Sequence, residues 1–282
     1  MRVTSLSIAS TLGALACFQT AVVVVASSPG SSTLQNILDN THNGPEYQYP
    51  TDFTRDIIPV GHDKSSLTET RTLKSLYISQ LLEILKRQNP RNNFVPSATR
   101  NGVFDTNPVQ TLYLFIDIKT DGVETWKYVS QELQPLRDLG YLTKVQDGNS
   151  IPGPITVIGT GNTPLSLIAG LENRDYFYDA PLADLGKSQF QNITSLISPI
   201  ASTSFDEAVG AVNSDKEDPL TSAQLETLRG QIKTAKSKGI GARYWETPGW
   251  PIRKRNEIWR VLLKEGVALL NVDDLDAVGE FF

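Results

Sequence analysis

Residues 112–122, Leu-Tyr-Leu-Phe-Ile-Asp-Ile-Lys-Thr-Asp-Gly, decide the fold class of this chain. The first seven form a nearly continuous apolar run, which is typical of a parallel-sheet strand covered on both faces. Side chains alternate across a strand, so Asp117 and Lys119 share a face with Phe115. Burying a carboxylate and an ammonium is costly unless they pair with each other or meet a metal and a phosphate. The pattern therefore indicates either a structural ion pair or a functional site.

Short apolar runs alternate with amphipathic stretches elsewhere, which predicts strands joined by crossover helices. Strands are predicted at 37–42, 57–60, 112–118, 155–158, 176–178, 193–198, 242–245 and 268–272. Helices are predicted at 79–89, 124–139, 221–238 and 252–264, and a loop or hairpin at 141–154. The fold class is therefore α/β, and 282 residues are enough for one barrel-sized domain, predicted over 37–282 after a linker at 27–36.

The first 26 residues are predicted to be a targeting segment. Arg2 precedes an apolar run over 8–25, and Ala26 offers a small residue at a cleavage position. The alternative is an uncleaved membrane anchor, and both predict a secreted or secretory-pathway protein. The single cysteine, Cys17, lies in this segment, so a cleaved protein has no disulfide.

Composition narrows the class of partner. A formal net charge of -5 gives no broad basic surface, so nucleic acid is not an expected partner. The protein is expected to be a monomer. It is expected to contact a membrane only through an uncleaved leader or a lipid substrate. Asn192 begins an Asn-Ile-Thr sequon at the start of a predicted strand, and its glycosylation would require exposure.

Polar residues at the carboxyl ends of barrel strands are the functional candidates. The only two histidines, His42 and His62, each follow a predicted strand and would suit acid–base cleavage of a phosphodiester. The alternative for each is a hydrogen-bonded or surface histidine. Arg243 and Trp245 would clamp a ligand head group, or else pack to close the barrel end. The glycine-rich stretch 159–164 lacks the lysine of a phosphate-binding loop and is interpreted as a strand-to-helix turn.

Four sequence blocks, at 67–77, 112–122, 155–164 and 271–275, resemble the fungal altered inheritance of mitochondria protein 6 family. That family looks like a branch of the phospholipase-C-like phosphodiesterases, a group that includes the glycerophosphodiester phosphodiesterases and sphingomyelinase D. The resemblance implies a TIM-type (β/α) barrel hydrolase of lipid metabolism that uses two histidines and a divalent metal, usually magnesium.

The resemblance also implies roles for individual residues. His42 and His62 match the catalytic pair, and Asp117 matches a metal ligand. Lys119 matches a basic residue near the phosphate, and Trp245 an aromatic residue bordering the substrate pocket.

One departure from the family pattern affects the metal. Relatives carry a Glu-x-Asp strand between the two histidines, but residues 44–59 contain none. Glu46, Asp52 and Asp56 lie in a stretch rich in Pro, Tyr and Asp, and the ligand role is not transferred to them. Asp117 alone would hold Mg²⁺ weakly, since this ion is usually held by one or two carboxylates together with substrate phosphates. The barrel is expected to be incomplete or distorted near its first strands.

The leading hypothesis is a phosphoric diester hydrolase acting on small glycerophosphodiester or lysophospholipid-type substrates, impaired by the lost ligands. The alternative is an inactive relative that binds a phosphorylated head group or acts as a scaffold. A third alternative is a coding-sequence error that shortens the segment 43–57. A glycoside hydrolase would need two facing carboxylates, which the pattern does not place.

Overall fold

The computed structural model describes residues 20–25, 58–61, 67–95, 97, 99–105, 107–212 and 218–282. Two sequence-based predictions, the linker at 27–36 and the strand at 37–42, therefore lie outside the described residues. For the strand β1 (Thr20–Val25) only the backbone pairing is described. It runs parallel to β2 (Leu112–Ile118), with Val24 aligned to Asp117. The structure thus assigns a strand to the end of the predicted leader, whose cleavage stays a prediction.

The described strands form two parallel four-stranded sheets and one short hairpin. The first sheet has the order β1-β2-β5-β6, with β5 at Ile155–Gly161 and β6 at Phe177–Tyr178. The second has the order β10-β9-β8-β7. Its strands are β7 (Ala180–Pro181), β8 (Ile200–Ser204), β9 (Gly241–Trp245) and β10 (Leu269–Leu270). Parallel pairing throughout both sheets confirms the α/β class, whereas closure into a TIM-type barrel stays a prediction.

Asp179 joins the two sheets. It lies between β6, which pairs with β5, and β7, which pairs with β8. Its backbone N–H donates to the carbonyl of Gly159 at 3.0 Å, so the chain is still bonded to the first sheet as it enters the second. One interrupted strand therefore connects both halves.

The sheets share an apolar interior. Phe115 on β2, Ile158 on β5, Ile200 on β8 and Leu269 on β10 belong to one buried cluster. Strands of both sheets therefore contribute side chains to one buried cluster. Residues on the other strand faces, such as Leu114 and Tyr244, pack outward into two further clusters with the helices.

Eight α-helices are present among the described residues. They are α1 (Ser79–Gln88), α2 (Gly122–Glu132), α3 (Gln134–Asp138), α4 (Ser166–Ala169), α5 (Phe205–Ala208), α6 (Ser222–Ser237), α7 (Ile252–Glu265) and α8 (Leu275–Phe281). A π-helical turn at Lys74–Ile78 leads into α1. The single helix predicted at 124–139 is instead α2 and α3, because Pro135 near the start of α3 has no N–H to continue the first helix. Within the described part of the chain, no helix has the length and apolar character needed to cross a bilayer.

Two further predictions are resolved in the central segment. The prediction of a strand at 193–198 is wrong. The backbone N–H groups of Ile197 and Ser198 donate to the carbonyl of Thr194, which forms a turn, and β8 begins only at Ile200. The hairpin expected in 141–154 is confirmed as β3 (Lys144–Gln146) and β4 (Asn149–Ile151). Its two connecting residues, Asp147 and Gly148, both have positive φ, as a tight hairpin turn requires.

Candidate functional site

Asp117 and Lys119 lie at the carboxyl end of β2, on the face that also carries Phe115. Lys119 Nζ is 2.8 Å from Asp117 Oδ2. The lysine side chain is 53% exposed and the aspartate side chain 18%, so the pair spans the boundary between the interior and the solvent. The ion pair predicted from the alternation is therefore present, and it leaves the second oxygen of Asp117 uncommitted.

That second oxygen occupies space provided by Gly161. Asp117 Oδ1 is inaccessible to solvent and has no hydrogen-bond partner among the described residues. A Cβ atom on Gly161, whose φ is +64°, would lie 2.2 Å from it. The glycine-rich stretch is indeed a strand-to-helix turn, as β5 ends at Gly161 and α4 begins at Ser166. Its role at the site is to make room for a carboxylate.

Arg243 projects from β9 into the same interior and is only 7% exposed. Its guanidinium donates to Ser202 Oγ at 3.2 Å and to Asn271 Oδ1 at 2.5 Å, and it lies 4.8 Å from the centroid of the Phe115 ring. Burial lowers the pKa of Arg243, and the nearby Asp179, Asp117 and Asp273 oppose that shift. Both of these side-chain acceptors are neutral, so among the described residues the nearby carboxylates balance the positive charge through space.

Asp179 is a site residue that the sequence analysis missed. Burial raises the pKa of its carboxyl group to about 6, although Arg243 and hydrogen bonds from Ser202 and Thr160 act to lower it. The residue is partly exposed through its other atoms, but Oδ1 is inaccessible to solvent and lacks a hydrogen-bond partner in the part of the chain that the structure describes. A signal was available: Phe177 and Asp179 repeat the spacing of Phe115 and Asp117, with an interior aromatic residue followed two positions later by an acid.

The loops after β8 and β9 form a rim beside this interior layer. Trp245, 41% exposed, ends β9. Glu246 follows it with a φ of +57° and accepts a hydrogen bond from Ser204 Oγ at 2.6 Å. A cavity of about 320 Å³ is lined by residues including Phe205, Glu246 and Trp250. Trp250 lines this cavity and Trp245 does not, so the two tryptophans occupy different parts of the rim.

The structure thus brings together Asp117, Lys119 and Arg243, with Trp245 at the nearby strand end. Asn192 lies in an exposed turn ahead of the amino end of β8, away from this edge of the sheet. Its exposure meets the condition for glycosylation, which stays a prediction. His42 and His62 lie outside the described residues, so their positions relative to the site stay predictions too.

Asp117 fits one ligand position of a magnesium ion, because its buried Oδ1 is a hard oxygen ligand that has no hydrogen-bond partner within the described ranges. No group of three or more His, Cys, Asp or Glu side chains suited to a metal occurs in the part of the chain that the structure describes. Bound there, the ion would supply positive charge to offset the charge of a phosphate.

The chain is similar to a named protein family along most of its length. A family model for the AIM6-like phosphodiesterase domain matches residues 52–179. The altered inheritance of mitochondria protein 6 homolog of Arthroderma benhamiae is 51% identical, over 89% of this chain and 93% of that protein. Altered inheritance of mitochondria protein 6 of Eremothecium gossypii is 30% identical, over 79% of this chain and 59% of the relative. The Lachancea thermotolerans protein of that name is 31% identical, over 78% and 56%.

The last two relatives are longer proteins, and the chain spans less than two thirds of their length. No solved structure matches the chain. The resemblance drawn from the four sequence blocks is confirmed by the 51% identity to the Arthroderma benhamiae protein over 89% of this chain.

Proposed function

Because the chain belongs to the altered inheritance of mitochondria protein 6 family, we propose that it is a phosphodiesterase acting on glycerophosphodiesters or lysophospholipid-type phosphodiesters. The observation that carries the proposal is the convergence of Asp117, Lys119 and Arg243 on one interior layer at the carboxyl ends of parallel strands. This is the edge of a parallel α/β fold where active sites are found.

Each residue has a proposed role. Lys119, half exposed at the mouth, contacts a phosphate oxygen, and the buried Arg243 adds positive charge beneath it. Cationic donors fixed in a site that excludes water stabilise developing negative charge more strongly than they would in solution. His42 and His62 act as general acid and base, as the family resemblance implies. Trp245 borders the substrate.

The first test is turnover of bis(p-nitrophenyl) phosphate by the purified chain, measured with Mg²⁺ and again with EDTA. We expect turnover, and a loss of about tenfold to a thousandfold when Lys119→Gln removes the phosphate contact. Lys127→Gln is the matched control, because Lys127 also pairs with a carboxylate at 2.8 Å but lies on the outer helix α2. Equal activity of the two variants would contradict the proposed role of Lys119 in contacting the phosphate.

A second candidate function is binding of a phosphorylated head group without cleavage. The absence of a Glu-x-Asp pair from residues 44–59 favours it, since a weakened metal site costs charge stabilisation. The same assay separates the two functions. Absence of turnover with Mg²⁺, together with measurable binding of glycerophosphocholine by calorimetry, would favour the binding function.

A further inference from the structure

The cavity in the rim beyond β8 and β9 has no part in the roles proposed above. Its volume of about 320 Å³ lies at the lower end of the range for small-molecule pockets, about 300–1,000 Å³. Its lining includes two aromatic residues, Phe205 and Trp250, and two prolines, Pro248 and Pro251. Trp250 is 77% exposed, so its ring is accessible from solvent. A pocket of this size with apolar and aromatic walls suits a small organic group.

The charged residues of the cavity favour a cation. Among the described residues that line it, Asp206 and Glu246 are acidic and Lys254 is basic. The ammonium group of Lys254 is already paired with Glu257 Oε2 at 2.8 Å, and the lysine side chain is only 5% exposed. Arg253 pairs with the same glutamate but is 73% exposed to solvent, which screens its charge. The lining therefore carries a net negative charge.

The carboxylate of Glu246 is held in place. Its φ of +57° is a left-handed conformation, which is strained for a residue other than glycine. Its Oε2 accepts a hydrogen bond from Ser204 Oγ at 2.6 Å, and the same hydroxyl oxygen accepts from the N–H of Glu207 at 3.1 Å. Strained backbone of this kind concentrates at ligand sites. An acid fixed in this way loses little conformational entropy when it binds a ligand.

The cavity adjoins the strand that carries Arg243. Glu246 follows Arg243 by three residues, which corresponds to about 10 Å at the rise of a strand. The neighbouring strand β8 brings Ser204, the partner of Glu246, level with Trp245. A small phosphodiester whose phosphate contacts Arg243 and Lys119 therefore has one of its alcohol groups within reach of the cavity.

We propose that this cavity binds a quaternary ammonium group such as that of choline. Glu246 and Asp206 supply the negative charge, and Trp250 supplies an aromatic face. A quaternary ammonium has no N–H to donate, so charge and aromatic surface are sufficient to recognise it. The restriction of the substrates to choline phosphodiesters rests on the proposed function, whereas binding of the ammonium group alone does not.

Binding of free choline by the full chain tests the proposal without a phosphodiester. Equilibrium dialysis with labelled choline measures its dissociation constant. Glu246→Gln should weaken binding by about tenfold, because it removes one negative charge from the lining. Trp250→Leu should weaken it by about fivefold to thirtyfold, because it removes the aromatic face. Glu83→Gln is the matched control: it removes the same charge from α1, where Glu83 pairs with Arg87 at 3.2 Å, and should leave binding unchanged.

The neutral isostere 3,3-dimethylbutan-1-ol separates recognition of charge from burial of apolar surface. It should compete with labelled choline at least about tenfold more weakly than unlabelled choline does. Equal competition would overturn the proposal, and so would binding of choline by Glu246→Gln at wild-type strength. Circular dichroism checks that each variant folds, and Glu246→Gly, which suits the positive φ, replaces Glu246→Gln if the amide variant does not fold.

The same measurements keep this proposal distinct from the proposed function. Choline binding without turnover of bis(p-nitrophenyl) phosphate would refute the proposed function alone. Turnover without choline binding would refute only the ammonium site.

Discussion

Gly161 controls the position of the Asp117 carboxylate. Its φ of +64° lies in the left-handed region, which costs other residues about 1–2 kcal/mol. An added Cβ would also collide with Asp117 Oδ1 at 2.2 Å. We therefore expect Gly161→Ala to lower the free energy of unfolding by about 2 kcal/mol or more. The same substitution should weaken the binding of any ligand that Asp117 contacts.

Urea unfolding measures this effect, with Gly170→Ala as the control. Gly170 ends α4 with a φ of -90° and has nothing within 4 Å of its missing Cβ. Its substitution should change stability by less than about 0.5 kcal/mol. Equal effects of the two substitutions would mean that neither the backbone conformation nor the contact with Asp117 is costly.

The sequence was sufficient to place Asp117 and Lys119, because a long apolar run fixes the alternation of side chains around them. The orientation of Asp179 could not be predicted in the same way, because β6 and β7 have two residues each and show almost no alternation of apolar and polar side chains. For Arg243 the sequence left two alternatives open, a ligand contact and packing that closes the barrel end. Its near-complete burial depends on β2, on β8 and on Asn271, which follows β10, and these are distant from one another in sequence.

At the level of elements, α6 depends on a reciprocal cap at its first turn. Thr221 Oγ1 accepts from the N–H of Gln224, and the Gln224 side chain accepts from the N–H of Thr221. Removing such a cap costs about 1 kcal/mol. Thr221→Ala should therefore lower the free energy of unfolding by about 1 kcal/mol in urea titrations.

Thr227→Ala makes the same chemical change inside α6, at an exposed position. Alanine is the better helix former, so this control should be neutral or slightly stabilising. A loss as large as that of Thr221→Ala would contradict a specific role for the cap.

Elements with strong local signals were predicted best. β2 occupies the predicted residues, and the bounds of α6 and α7 agree with those expected to within one residue at each end. The strand expected at 193–198 failed because Ile193 and Ile197 are apolar without being extended: they are tied into consecutive turns before Pro199. Composition alone does not distinguish a buried turn from a short strand.

At the scale of the molecule, Phe115 links the two sheets. It is fully buried, shares a cluster with Ile200 and Leu269 of the second sheet, and supports the guanidinium of Arg243. Phe115→Ala should lower the free energy of unfolding by about 3–5 kcal/mol, as expected for truncating a core aromatic residue.

Phe94→Ala is the matched control, because Phe94 is 95% exposed and should lose less than about 0.5 kcal/mol. Guanidinium unfolding followed by circular dichroism measures both variants. A small effect of Phe115→Ala would mean that the interior does not couple the sheets.

The passage of the chain through Asp179 has a mechanical consequence. The backbone of this residue is hydrogen-bonded to the first sheet, while the next two residues pair with the second sheet. A ligand that binds the Asp179 carboxylate would therefore stabilise the junction between the two sheets. Its binding should reduce the flexibility of both sheets rather than of one. Conversely, a substitution that disrupts the position of Asp179 would weaken both the binding of the ligand and the junction between the two sheets.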